Sequence, residues 1–338
     1  MAIRTLTPGD LDPLRWVIYR AYYEVLLDLY GADAAQQYEV RSLDFMALYL
    51  RRDAEGCFVA ETEDGSLAGG LFCFVWGEVG WFGSLAVAPE WQGLGVGQQL
   101  TRRAIDYLRS RGCRRIGLET WPKAPRTQHL YSKLGFEPCH PTLKLARALP
   151  ECGRPRAAPD ATDTGSWRVR WVRAGDVAAL RRATQDVDAI SASVRTVSGS
   201  PDARLELSGE IQVAVAGSFA ELVVLTTGDG EPRACALAHT RKPSGGAART
   251  LDVRLMLIAP ERAEQTSDAL LAAVDRRAQE LECRSVTCDV NVRFERAVGL
   301  VRARGFRPIY ELIRMERPAA GIEIGARSDA LEFARWAG

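Results

Sequence analysis

The spacing of apolar residues changes period several times along the first half of the chain, and each change marks an element. Apolar positions recur every three or four residues through "DLDPLRWVIYRAYYEVLLDLY" (10–30) and "SLDFMALYLRR" (42–52), which predicts two amphipathic helices. Alternating and short continuous apolar runs in "CFVAETEDGSLAGGLFCFVW" (57–76) predict a hairpin turning at Asp64 and Gly65. "GWFGSLAVAP" (80–89) reads as a further strand, stopped by Pro89. Helical spacing returns in "GVGQQLTRRAIDYLRSRG" (95–112), with Gly112 placed to close the helix. A strand "RRIGLETW" (114–121) and a short helix "RTQHLYSKLG" (126–135) follow. Helices mixed with strands in this order predict an α/β or α+β domain.

The periodicity lapses in "ALPECGRPRAAPDATDTGSW" (148–167), where Pro150, Pro155 and Pro159 stand among small polar residues, the composition of a connector. Beyond it the pattern repeats. "IRTLTPGDLDPL" (3–14) matches "VRWVRAGDVAAL" (169–180), "SLAVAPEWQGLGVGQQL" (84–100) matches "LMLIAPERAEQTSDALL" (255–271), and "YSKLGFEP" (131–138) matches "VRARGFRP" (301–308). Three matches in one order predict a duplicated domain. The expected organisation is a domain at 1–148, a linker at 149–166, a second domain at 167–317 and a tail at 318–338. The tail's "SDALEFARWAG" (328–338) reads as a short docking helix.

Composition narrows the functional classes. A chain of 338 residues, 47% hydrophobic and 26% charged, has the make-up of a two-domain globular protein. A formal net charge of +1 argues against a general nucleic-acid binder. No apolar run is long enough for a membrane span and no signal pattern opens the chain, so the expected location is the cytoplasm. The eight cysteines form no CxxC pair and His129, His140 and His239 lack ligand spacing, so neither a disulfide framework nor a metal site is expected.

Candidate chemistry centres on "APEWQGLGVGQQL" (88–100), where Gly93, Gly95 and Gly97 alternate between a strand and a helix. Bare backbone there lets N–H groups converge beside the positive end of a helix dipole, an arrangement suited to phosphate. The alternative is a loop whose glycines serve only positive φ. No GK[ST] follows, and the spacing is not GxGxxG, so neither a P-loop nor a dinucleotide fingerprint fits.

Gln92-Gly93-Leu94-Gly95-Val96-Gly97 is similar to the Q/R-x-x-G-x-G/A signature of the GNAT N-acetyltransferase superfamily, and "LAVAP" (85–89) and "LYSKLGF" (130–136) match it as well. The resemblance covers the first half. It implies tandem GNAT-like domains, each a mixed, mostly antiparallel sheet flanked by helices. It also implies acetyl-CoA as cosubstrate, with its pantetheine arm against Leu85, Ala86 and Val87. The pyrophosphate would lie on Gln92, Gly93, Leu94, Gly95, Val96, Gly97 and Gln98. The implied reaction is direct attack by a primary amine, on a small molecule or on a peptide N-terminus or lysine, in a monomer or homodimer. An amine with a pKa of about 10.4 lies about three units from neutrality at pH 7, a cost of about 4 kcal/mol, so a base helps. Tyr131 takes the position of the family's acid. Glu119 resembles the strand glutamate that serves as base in relatives acetylating protein N-termini; Glu78, Glu24 and a water chain are the other candidates. Ala124 stands where relatives often carry a cofactor-binding asparagine, and Arg126 and His129 replace small residues. Aromatics in the first two helices (Tyr19, Tyr22, Tyr38 among them), with Trp76, Trp81 and Trp121, are candidates for an acceptor pocket or for core.

In the second half Ala263, Glu264, Thr266 and Asp268 fall where Gln92, Gly93, Gly95 and Gly97 stand, and Val301 replaces Tyr131. That half is expected to be a degenerate copy that packs on the first. A non-catalytic acyl-CoA-binding or regulatory protein is the other reading.

Overall fold

The structure, a computed structural model, describes residues 1–150, 161–163, 167–198, 205–319, 328 and 332–334. Most of the expected linker and tail lies outside the described residues. In the first half β1 (Ala2–Thr5) leads to α1 (Leu11–Tyr30), α2 (Ala32–Gln36) and α3 (Leu43–Asp53). Then come β2 (Cys57–Glu61), β3 (Leu67–Trp76), β4 (Val79–Val87), α4 (Val96–Ser110), β5 (Arg115–Thr120), α5 (Pro125–Ser132), β6 (Glu137–Pro138) and β7 (Thr142–Ala148). After the short β8 (Ala161–Asp163), the second half repeats the order with β9 (Trp167–Val172), α6 (Val177–Ser198), α7 (Ser208–Ala216), β10 (Ala220–Thr227), β11 (Pro232–Arg241) and β12 (Ala247–Ile258). It ends with α8 (Ala263–Glu280), β13 (Ser285–Asn291), α9 (Glu295–Ala303), β14 (Arg307–Pro318) and β15 (Glu332–Ala334).

Local chemistry explains the boundaries. Ser42 caps α3 by accepting from the Phe45 N–H at 3.2 Å. Gly112 and Gly135 follow α4 and α5 at φ +81° and +80°, the left-handed conformation that ends a helix. Alternation sorts the strands onto two faces. Cys57, Val59, Phe72 and Phe74 join a core with α1 and α3, while Phe58, Ala60, Leu71 and Cys73 join another with α4 and α5.

Both halves share a single mixed sheet, in the order β1-β2-β3-β4-β5-β14-β7-β13-β12-β11-β10-β9-β8. The pairs β4–β5 and β12–β13 are parallel, and the other paired strands are antiparallel. The order contains an exchange. β5 of the first half pairs with β14 of the second, and β7 of the first half pairs with β13 and β14 of the second. A cut at the linker separates the halves in sequence but not in the sheet. Further contacts join α3 to the second half: Phe45 packs edge-on against Phe219 with ring centroids 5.3 Å apart, and the Ser42 N–H donates to the Pro243 carbonyl at 2.9 Å.

The docking-helix expectation for the tail is corrected at 332–334. These residues are extended, and β15 pairs antiparallel with β12 through Leu255–Ala334, Met256–Phe333 and Leu257–Glu332. β12 pairs with β13 only at Thr250–Val253, so its outer segment leaves unpaired edge groups that an extended backbone satisfies.

Candidate active site

The equivalent wedge in the first half stays open. β4 pairs with β5 only from Val79 to Trp81, and beyond that point the two strands part. A register shift in the β3–β4 ladder coincides with Ser84 at φ +53°, a bulge that bends the strand end. Ser84 is held there by Arg41, whose Nη1 donates to its hydroxyl at 2.7 Å. On the β3 side Ala86 and Val87 pair with Gly70 and Gly69, leaving their opposite edge facing the wedge.

Pro89 ends β4, and the loop beyond it is held by the Gln92 side-chain amide, which donates to the Val87 carbonyl at 3.1 Å. Gly93 and Gly95 sit at φ +78° and +83°, and a Cβ at either position would meet no atom within 4 Å. Both glycines therefore answer a backbone requirement and border open space. Gly95 is also the N-cap of α4 and offers no side-chain cap, so the N–H groups of Val96, Gly97 and Gln98 have no intrahelical partner. An anion suits these donors.

Wedge, loop and α5 enclose a cleft of about 550 Å³. Its lining contains Leu85, Ala86, Val87, Gln92, Gly93, Gly95, Val96, Gly97, Gln98, Glu119 and Tyr131, gathering both expected groups of site residues. Leu94 does not line it; that side chain points outward, 65% exposed. Arg126, His129 and Lys133 line the α5 side, and Glu119 is the one acidic side chain among the lining residues. Such a field suits a polyanion. Donors, open glycines and basic side chains together fit the pyrophosphate of an acyl-CoA. Ala124 is the N-cap of α5 without a side-chain cap, so the expected asparagine contact has no replacement at that position.

Tyr131 is 5% exposed, its ring edge-on to Phe82 and Phe136. Burial, and secondly the neighbouring Tyr22, push its hydroxyl well above the usual phenol range. It therefore holds its proton. The Glu119 side chain is also buried. Its Oε1 accepts from Thr142 Oγ1 at 2.5 Å and from Arg314 Nη2 at 3.1 Å, while Oε2 has no hydrogen-bond partner among the described residues. Among the outside candidates, Glu78 lies at the other end of β4 with Arg114 4.0 Å away, and Glu24 borders a separate shallow hollow beside Tyr19 and Tyr23. Neither lines the cleft.

Tyr22 and Trp121 line the cleft, in edge-on contact at 5.4 Å, and Tyr38 stacks on both Tyr22 and Tyr19. Trp81 and Trp76 are core. Sequence reasoning missed Ser84, Thr142 and Arg314. Glycine next to serine in a strand was a signal for the bulge; nothing local marked the other two, which arrive on β7 and β14.

In the second half, Arg304 engages Glu264 at 3.2 Å and Asp268 at 2.7 Å, over the first two turns of α8. Among the described residues no group of His, Cys, Asp and Glu could hold a metal ion, and no helix is long and apolar enough to cross a membrane.

Comparison with known proteins bears on the fold. Residues 19–136 match the acetyltransferase (GNAT) family model. An N-acetyltransferase of Methanocaldococcus jannaschii is 29% identical over 146 residues, 40% of this chain and 60% of its own length, so the chain spans under two thirds of that relative. A putative acetyltransferase of Pyrococcus horikoshii superposes with a TM-score of 0.58 at 15% identity, covering 98% of this chain and 93% of its own. A tandem GNAT protein from the clavulanic acid biosynthesis pathway superposes with a TM-score of 0.55 at 13% identity, covering 95% of this chain and 99% of its own. These likenesses show the fold: two mixed sheet-and-helix halves in tandem, arranged as in the tandem GNAT protein.

Proposed function

We propose that the chain is an acetyl-CoA-dependent N-acetyltransferase whose chemistry takes place in the first-half cleft. The observation that carries the reading is a convergence. The uncapped start of α4, the parted edges of β4 and β5, and the buried pair Glu119 and Tyr131 all open onto one cavity.

Acetyl-CoA supplies the activated acyl carbon and the thiolate leaving group. The N–H groups at Gly93–Gln98 bind its pyrophosphate, with Arg126 and Lys133 adding positive charge. Backbone groups of Leu85, Ala86 and Val87 hold the pantetheine arm as an added strand would be held. Glu119 presents Oε2, a buried acceptor that an amine N–H or a bridging water can satisfy, and it draws off the proton as nitrogen attacks. Tyr131, protonated throughout the neutral range, donates to the departing sulfur. Tyr22 and Trp121 offer the acceptor an aromatic wall, which favours a primary amine with an apolar or aromatic part.

The second half reads as a degenerate copy. Its carboxylates Glu264, in the first turn of α8, and Asp268, one turn on, are ion-paired with Arg304, and β15 lies along β12 where the first half is open. A screen of primary amines scored by CoA release tests the function. Turnover with any of them supports it. Acetyl-CoA binding without CoA release from any amine would replace it by the reading of a non-catalytic acyl-CoA-binding protein.

A further inference from the structure

Equivalent ion pairs occupy the two halves, and in each the cation comes from the other half. Glu119 on β5 stands directly across from Arg314 on β14, and Asp289 on β13 directly across from Lys144 on β7. The duplication supplies an internal comparison. In the second half the charges close on themselves. Lys144 Nζ reaches Asp252 at 2.6 Å and Asp289 at 3.0 Å, and Asp252 also takes Thr287 at 2.7 Å and Arg254 at 2.7 Å. Asp289, which also keeps one oxygen without a hydrogen bond among the described residues, does not line the cleft.

The first-half pair is built differently. Arg314 and Glu119 have side chains only 3% and 2% exposed, yet Glu119 borders the cleft. The Arg314 guanidinium lies over the Trp81 ring, 5.1 Å from its centroid. That ring is itself pressed against Gly117, where a Cβ would come within 2.0 Å of it. Arg314 is thus fixed from below by Trp81 and, among the described residues, binds one carboxylate oxygen, Glu119 Oε1. Thr142, on the first half's own exchanged strand, fixes the same oxygen at 2.5 Å. A buried carboxylate stripped of its cation would pay a large desolvation cost and lose its orientation.

We propose that Arg314 is a positioning residue for acetyl transfer. Carried into the first half by the last strand of the second, it clamps Glu119 through Oε1 so that Oε2 faces the amine. This role rests on the reading of Glu119 as proton acceptor. The second half then completes the site rather than merely packing beside it.

The test uses the full chain and measures thiol release from acetyl-CoA, with phenethylamine as the probe amine and with water alone. Arg314→Met is expected to lower kcat by about 10- to 100-fold while the KM for acetyl-CoA stays within about twofold. Arg314→Lys, which keeps the charge, should recover most of that loss. In a Glu119→Gln background, Arg314→Met should cost less than about twofold more, because it acts through a group already removed. Glu316→Gln is the control for structural damage. It weakens an equally buried pair on the same strand, with Arg115 at 2.5 Å, and should leave kcat unchanged. Parental kcat in Arg314→Met, or independent multiplicative losses in the double variant, would overturn the proposal while Glu119→Gln alone remained impaired. Parental rates in Glu119→Gln, or thiol release by the parent no faster than without protein, would instead remove the reading beneath it and this role with it.

Discussion

Replacing Tyr131 with phenylalanine deletes one oxygen and keeps the ring packed against Phe82 and Phe136. The expected result is a kcat lower by about 10- to 1,000-fold with acetyl-CoA affinity nearly unchanged. Steady-state kinetics beside calorimetry decides it, and an unchanged kcat would leave water as the proton donor. Glu119→Gln should depress activity most at low pH, where the amine most needs help losing a proton; a pH–rate profile parallel to the parent's would remove Glu119 as the base. That Tyr131 and the glycines border one cleft was legible because their signals are local: a helix tyrosine at a fixed offset, glycines alternating after a strand. Arg314 was not, because its meaning comes from a strand partner 195 residues away.

Among the elements, the loop leading into α4 carries two left-handed glycines. Gly93 holds φ +78° with open space around its missing Cβ, so Gly93→Ala should destabilise through backbone strain alone, by about 1 kcal/mol. Denaturant titration measures that loss, and a stability equal to the parent's would mean that the loop relaxes out of the left-handed conformation. Helix spacing, the Asp64-Gly65 hairpin and the stop at Pro89 all showed in the hydrophobic pattern, since each is fixed by side chains within a few residues. Strand partners did not show. β7 and β14 each alternate as an ordinary last strand would, and nothing in that alternation says which half receives them. The "LEFAR" segment of the tail has no period long enough to separate strand from helix. The extended conformation of 332–334 follows from the unpaired edge of β12, which the tail sequence does not contain.

For the whole molecule, the exchange makes the halves interdependent. Residues 1–150 made alone would leave β5 without β14 and β7 without either partner, and should yield aggregated or poorly protected chains. A folded, monomeric fragment by size-exclusion chromatography and hydrogen exchange would contradict this. The contact between halves also carries a pH dependence. His239 lines a small cavity of about 80 Å³ between them, with Arg52 and Trp76 from the first half and Glu210 and Arg254 from the second. Burial, and then Arg254, hold its imidazole neutral down to about 3. The unfolded chain takes up that proton near pH 6.5. His239 therefore contributes full stability above about pH 6.5, and the contribution is lost as pH falls towards 3. The drop in Tm between pH 7 and pH 5 should be smaller in His239→Gln than in the parent, and equal drops would show that the imidazole titrates freely in the folded protein. The central claim is one cofactor-binding cleft, placed in the first half. Titration calorimetry of the full chain with acetyl-CoA should give one equivalent per chain, and Gly95→Glu should abolish it by setting a carboxylate where the pyrophosphate belongs. Two equivalents, or one that survives Gly95→Glu, would contradict the account.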